Sequence, residues 1–154
     1  MVWLAQIKEV AERGLGVHLR RRRGFPPLVP ERRFLTVRMD LHNKCNLRCR
    51  MCYFALDEIW KAPRVDMSES QLERIERRIW PRTRDLWLSC SSEPLIAHNL
   101  GRVIGRARRA RVPRIQIVTN GLALDEAKAR MLIGEGLDRI HLSLDAADAA
   151  TYEY

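Results

Sequence analysis

The stretch Phe34-Leu35-Thr36-Val37-Arg38-Met39-Asp40-Leu41-His42-Asn43-Lys44-Cys45-Asn46-Leu47-Arg48-Cys49-Arg50-Met51-Cys52 joins two patterns without a gap. Phe34, Leu35, Val37, Met39 and Leu41 alternate well enough to predict a strand over 34–41. Three thiols follow at once, Cys45, Cys49 and Cys52, at C-x3-C-x2-C spacing, so a single loop can offer three ligands to one centre. Cys90 is the only cysteine elsewhere in the chain.

Downstream, strand and helix patterns alternate. Ser68 with Gln71 forms a capping box, and Leu72, Ile75 and Ile79 recur behind it at helical spacing, predicting a helix over 68–79. Leu86, Trp87 and Leu88 make a short apolar strand that ends in the polar run Ser89 to Glu93, and Leu100, Val103, Ile104 and Ala107 mark the next amphipathic helix. A third strand, Ile115, Ile117 and Val118, ends at Thr119-Asn120-Gly121. Asp125 can cap a helix through Ala127, Met131 and Leu132 that stops near Gly134 and Gly136. Ile140, Leu142 and Leu144 form a fourth strand.

Strands separated by helices imply βαβ crossovers and a parallel sheet, so the fold class is α/β, either doubly wound or a partial (β/α) barrel. In either case chemistry belongs at the C-terminal ends of the strands. Cys45 to Cys52, Ser91 to Pro94, Thr119 to Gly121 and Ser143 to Asp145 each follow or end a strand, which brings all four segments to one rim.

Upstream, residues 1–33 read as a basic, Pro-containing extension, with a short amphipathic stretch around Leu4 and Ile7, the run Arg20 to Arg23, and Pro26, Pro27 and Pro30. Residues 34–154 are the expected core domain. The net charge of +9 favours acidic partners, but aromatic residues are sparse around Arg20 to Arg23, so a solvated arginine surface is preferred over a nucleic-acid platform. No apolar run approaches the roughly 20 residues of a membrane span, and charged residues interrupt the N-terminus. The expectation is a cytoplasmic chain with no membrane association, in whose reducing surroundings clustered cysteines bind metal rather than pair as disulfides.

Three thiolates leave one corner of a cuboidal iron–sulfur cluster open to an exogenous ligand. The alternative is a closed Cys3His zinc site using His42, three residues before Cys45; that reading accounts for none of the polar strand ends elsewhere.

The Cys45-x3-Cys49-x2-Cys52 loop resembles the signature of the radical S-adenosylmethionine (SAM) superfamily. Ser91-Ser92-Glu93-Pro94 resembles that family's Gly-Gly-Glu-Pro segment, Thr119-Asn120-Gly121 its third strand ending, and Leu142-Ser143-Leu144-Asp145 its fourth. The resemblance, most like SPASM-type members, implies a partial barrel in which about four of six strand–helix units are present, and hence a truncated chain. It implies a [4Fe–4S] cluster on Cys45, Cys49 and Cys52, with SAM as second cofactor and reductive cleavage of SAM to a 5′-deoxyadenosyl radical that abstracts a substrate hydrogen. Met51 would lie against adenine, Ser92 and Glu93 would receive the methionine amino group, Ser143 would contact SAM, and Thr119 and Asn120 would face the substrate, a peptide or small molecule. A flavodoxin or ferredoxin would supply electrons.

Two positions depart from the family. Met51 stands where an aromatic is common, and Ser91 and Ser92 replace glycines at a close backbone approach. Beside the cluster reading stand simpler ones: Cys90 as a small buried apolar residue, His42 as a surface or supporting residue, and Tyr53 and Trp60 as packing over the loop. A zinc- or nucleic-acid-binding module without catalysis, or an inactive fragment, are the alternatives to an enzyme.

Overall fold

A computed structural model describes residues 33–152. The expected amphipathic stretch, arginine run and prolines of the N-terminal extension lie outside the described residues. Arg33, at the extension's end, is anchored: its guanidinium donates to the carbonyls of Trp80 at 2.7 Å and Ala110 at 3.0 Å.

Four parallel strands, β1 (Leu35–Arg38), β2 (Thr83–Trp87), β3 (Arg114–Thr119) and β4 (Arg139–Leu142), form one sheet in the order β1-β2-β3-β4. Between them run α1 (Asp57–Lys61), α2 (Glu69–Arg78), α3 (Leu100–Arg109) and α4 (Glu126–Glu135), with α5 (Ala149–Tyr152) after β4. Strands in chain order with helical crossovers are the arrangement of a partial α/β barrel. Among the described residues no helix is long and apolar enough to cross a membrane.

Local chemistry explains the elements. Ser68 and Gln71 make the expected reciprocal capping box at the start of α2. Asp125 caps α4 by accepting the Lys128 amide at 2.7 Å, and Gly136 ends that helix at φ 90°, where a side chain is disfavoured. In α3 the fully buried Leu100, Val103, Ile104 and Ala107 recur at helical spacing and pack with Leu86, Leu88, Ile115 and Ile117 from one face of the sheet. Those sheet residues alternate with Trp87, Gln116 and Val118, whose side chains stand on the opposite face with Arg38 and His141.

The expected first strand over 34–41 is shorter in the ladder, because the chain turns into the cysteine loop after Arg38. Met39 and Leu41 are nevertheless buried, and the Met39 amide still donates to Trp87 O at 3.0 Å. Every residue of β4 is exposed, Ile140 and Leu142 among them.

Candidate active site at the strand ends

The cysteine loop is pinned on both flanks while its thiols stay free. At its base the Met67 amide donates to Leu41 O at 2.8 Å and the Asn43 amide to Val65 O at 3.2 Å. Lys44 places its ammonium on the carbonyls of Trp60, at 2.9 Å, and Ala62. Arg48 pairs with Asp57 and donates to Ala55 O, its guanidinium lying over the Trp60 ring. Trp60 thus packs against the loop as expected. Tyr53 leans on buried Phe54, with ring centroids 4.5 Å apart.

Cys45, Cys49 and Cys52 are unpaired, half-buried, and all line one cavity of about 770 Å³. Cys45 Sγ accepts the Leu47 amide at 3.4 Å and the Asn120 side-chain amide at 3.8 Å. Burial raises the Cys45 thiol above its ordinary pKa, and the Glu93 charge acts in the same direction. Burial also raises Cys49, helped by Asp145 and Cys52. Among the described residues no three His, Cys, Asp or Glu side chains converge on one point as ligands of a single ion would. Ligands of a cuboidal cluster each take a different iron and need no such convergence, so three free thiols on one loop facing one cavity are a donor set that fits it.

His42 is buried, not on the surface, and both ring nitrogens are engaged: Nδ1 accepts the Lys44 amide at 3.0 Å, and Nε2 donates to Glu93 O at 3.1 Å. It braces the loop against the segment after β2 and has no lone pair left for zinc, so the Cys3His arrangement does not fit. Cys90, expected to be buried, is exposed instead. Beyond β2 the chain bends to bring successive amides onto Asp40, which turns the Cys90 side chain outward along the cavity wall.

The four strand-end motifs do meet. Ser92, Glu93, Thr119, Asn120, Ser143 and Met51 all line the cavity that the thiols face. Their polar groups are unequally available. Glu93 is buried; its Oε1 accepts the Thr119 hydroxyl at 2.6 Å and the Leu95 amide at 2.9 Å, and its Oε2 accepts the Asn120 amide at 2.9 Å. A carboxylate oxygen accepts two bonds, so Oε2 retains room for one more donor. The Thr119 hydroxyl is itself committed, donating to Glu93 and accepting the Gly121 amide at 3.0 Å. Asn120 donates to Asn46 Oδ1 at 2.9 Å and so tethers the end of β3 to the cysteine loop. Ser143 prolongs the ladder by donating its amide to Thr119 O at 2.9 Å, and Met51 is largely exposed at the cavity mouth.

Two residues escaped the sequence reading. Asp40 sits where β1 gives way to the loop, and its carboxylate gathers the amides of Cys90, Ser91 and Ser92 and the hydroxyls of both serines. Burial pushes its pKa up, but these hydrogen bonds outweigh it and hold the carboxyl below its ordinary value. Arg38 also lines the cavity, with its guanidinium 5.0 Å from the Trp87 ring centroid. Trp87 stacks in turn on His141 at 4.9 Å, and His141 is hydrogen-bonded to Gln116. The alternation of strand 34–41 assigns Asp40 and Arg38 to one face, a signal that could have marked both as pointing away from the core.

Comparison with known proteins agrees with this geometry. The sequence model of the radical SAM superfamily matches residues 39–154. A GTP 3′,8-cyclase of Paenarthrobacter nicotinovorans is 37% identical over 79% of this chain and 34% of its own length. Another, from Mycobacterium ulcerans, is 33% identical over 75% of this chain and 32% of its own length. The chain therefore spans about a third of the length of these curated relatives. Among solved structures, BtrN in complex with AdoMet and 2-DOIA superposes with a TM-score of 0.63 at 19% identity, covering 76% of this chain and 48% of that one; the likeness is one of fold. Motifs, fold and family match agree, and this chain belongs to the radical SAM superfamily.

Proposed function

We propose that this chain carries the cluster- and SAM-binding part of a radical SAM enzyme, with Cys45, Cys49 and Cys52 as ligands of a [4Fe–4S] cluster. The observation that carries the proposal is that three free thiols at C-x3-C-x2-C spacing line the same cavity as Ser92, Glu93 and Ser143. When bound, the cluster and SAM together supply a 5′-deoxyadenosyl radical for abstraction of a substrate hydrogen.

The chain's own residues bind and orient. Glu93 Oε2, with one acceptor position left, receives the amino group of SAM beside the strand end at Ser92. Met51 packs its thioether on adenine at the cavity mouth, and Ser143 borders the same ligand. Asn120 holds the cysteine loop against the end of β3, and together with Thr119 it forms the wall toward the substrate.

Arg38 favours a substrate with an anionic group. It lines the cavity, its exposed guanidinium lies over the Trp87 ring, and it makes no hydrogen bond or ion pair among the described residues. A guanidinium fork without a carboxylate partner suits a phosphate or carboxylate. The relatives' name, GTP 3′,8-cyclase, refers to a substrate of that kind. A flavodoxin or ferredoxin in a reducing cytoplasm is the proposed electron source.

Anaerobic reconstitution with iron and sulfide tests the proposal. The expected product absorbs in the visible, holds iron and sulfide in the ratio of one cubane cluster, and changes its reduced-state paramagnetic resonance spectrum on adding SAM. A colourless protein that takes up zinc alone, or a cluster blind to SAM, refutes it.

A further inference from the structure

Asp40 lies five residues before the first cysteine and outside every motif that marks the site, yet it carries the densest polar contacts at the rim. Its Oδ1 accepts the amides of Cys90 at 2.8 Å and Ser92 at 3.1 Å and the Ser92 hydroxyl at 2.8 Å. Its Oδ2 accepts the Ser91 amide at 3.1 Å and the Ser91 hydroxyl at 2.8 Å. Three consecutive backbone N–H groups converging on one point form an anion-binding nest, and here the anion is the protein's own.

The consequence is a polarity. With their amides and hydroxyls committed to Asp40, the cavity-lining Cys90, Ser91 and Ser92 have mainly their carbonyl oxygens left to engage a ligand. Among the described residues nothing hydrogen-bonds to their three carbonyl oxygens. A segment of bare carbonyls beside the buried Glu93 carboxylate attracts a cationic donor and repels an anion. Emptied of Asp40, the same segment would present three N–H groups and attract an anion instead.

We propose that Asp40 is a positioning residue that fills this nest, so that the strand end at Ser91 and Ser92 accepts the ammonium end of SAM rather than its carboxylate. This rests on the SAM-binding role proposed above. It also accounts for serines where the family has glycines: each hydroxyl adds a donor to the same carboxylate instead of intruding on the ligand.

Two measurements on the full chain test it. In the cluster-free protein, Asp40→Ala opens the nest, so sulfate should raise its melting temperature saturably, beyond the general salt effect that wild type also shows. In the reconstituted protein, the same variant should keep its iron and sulfide but bind SAM about tenfold more weakly, the scale of one lost charge-assisted contact. Asp40→Asn keeps one acceptor oxygen in the nest but removes the charge, so it carries the SAM-binding measurement alone should the alanine variant not fold. An alanine variant that answers sulfate as wild type does, or either variant binding SAM as tightly as wild type at full cluster content, overturns the proposal. Failure of wild type to take up a cluster instead refutes the function proposed above, while the sulfate experiment still decides the role of Asp40.

Discussion

The Thr119 hydroxyl donates to Glu93 Oε1 at 2.6 Å, tying the end of β3 to the segment that follows β2 across 26 residues of chain. Both side chains are buried, so neither can exchange this partner for water. Thr119→Val keeps the shape and removes the hydroxyl, which leaves Glu93 short of a donor and the Gly121 amide without its acceptor. The expected cost is about 1–3 kcal/mol, the scale of a buried polar group left unsatisfied. Urea unfolding of the variant beside wild type measures it.

Replacement of Cys45, Cys49 or Cys52 by Ala should each abolish cluster uptake, whereas Cys90→Ala should leave iron and sulfide content unchanged. All four thiols line the cavity, but only the first three share a loop. Metal and sulfide analysis after anaerobic reconstitution separates them, and loss of the cluster in Cys90→Ala would contradict the assignment.

Arg38→Ala should weaken binding of an anionic probe such as GTP by about tenfold or more, and Arg38→Lys should recover only part of that loss. Lysine keeps the charge but not the planar fork that stacks on Trp87. Equilibrium binding with GTP and with uncharged guanosine distinguishes a contact to the phosphates from one to the base.

His42 gives the fold a pH dependence with a definite sign. Burial lowers its pKa below the ordinary 6.5, and nearby Arg64 acts the same way, outweighing the opposing influence of its bond to Glu93 O and the charges of Asp66 and Asp40. Between the folded and unfolded pKa values the unfolded chain binds more protons, so stability should be complete above about pH 6.5 and decline as the pH falls toward the folded value. His42→Gln removes the titration. The difference between wild-type and variant urea midpoints across about pH 8 to 5 isolates this histidine, and a constant difference would show that His42 does not titrate in that window.

Contacts that act over a few residues are legible in the amino-acid order alone. The capping box of Ser68 and Gln71, the Asp125 cap, the glycine end of α4 and the burial stripe of α3 are contacts within one or two helical turns, so their spacing alone predicts them. Alternating strands and helices implied a parallel sheet, and that in turn implied that Cys45 to Cys52, Ser92, Glu93, Asn120 and Ser143 would share a rim, as they do. How those groups are employed depends on bonds between segments far apart in the chain. Asp40 meets Ser92 across 52 residues and His42 meets Glu93 across 51, contacts that exist only once β1 and β2 pair. Strand alternation could say that Asp40 and Arg38 leave the core, but not that one becomes saturated with donors while the other lies over Trp87 without a carboxylate partner among the described residues. The outward turn of Cys90 and the burial of His42 follow from those same long-range bonds. Hydrogen-bond partners distant in the chain are chosen by strand register and side-chain reach, and neither is written in local periodicity.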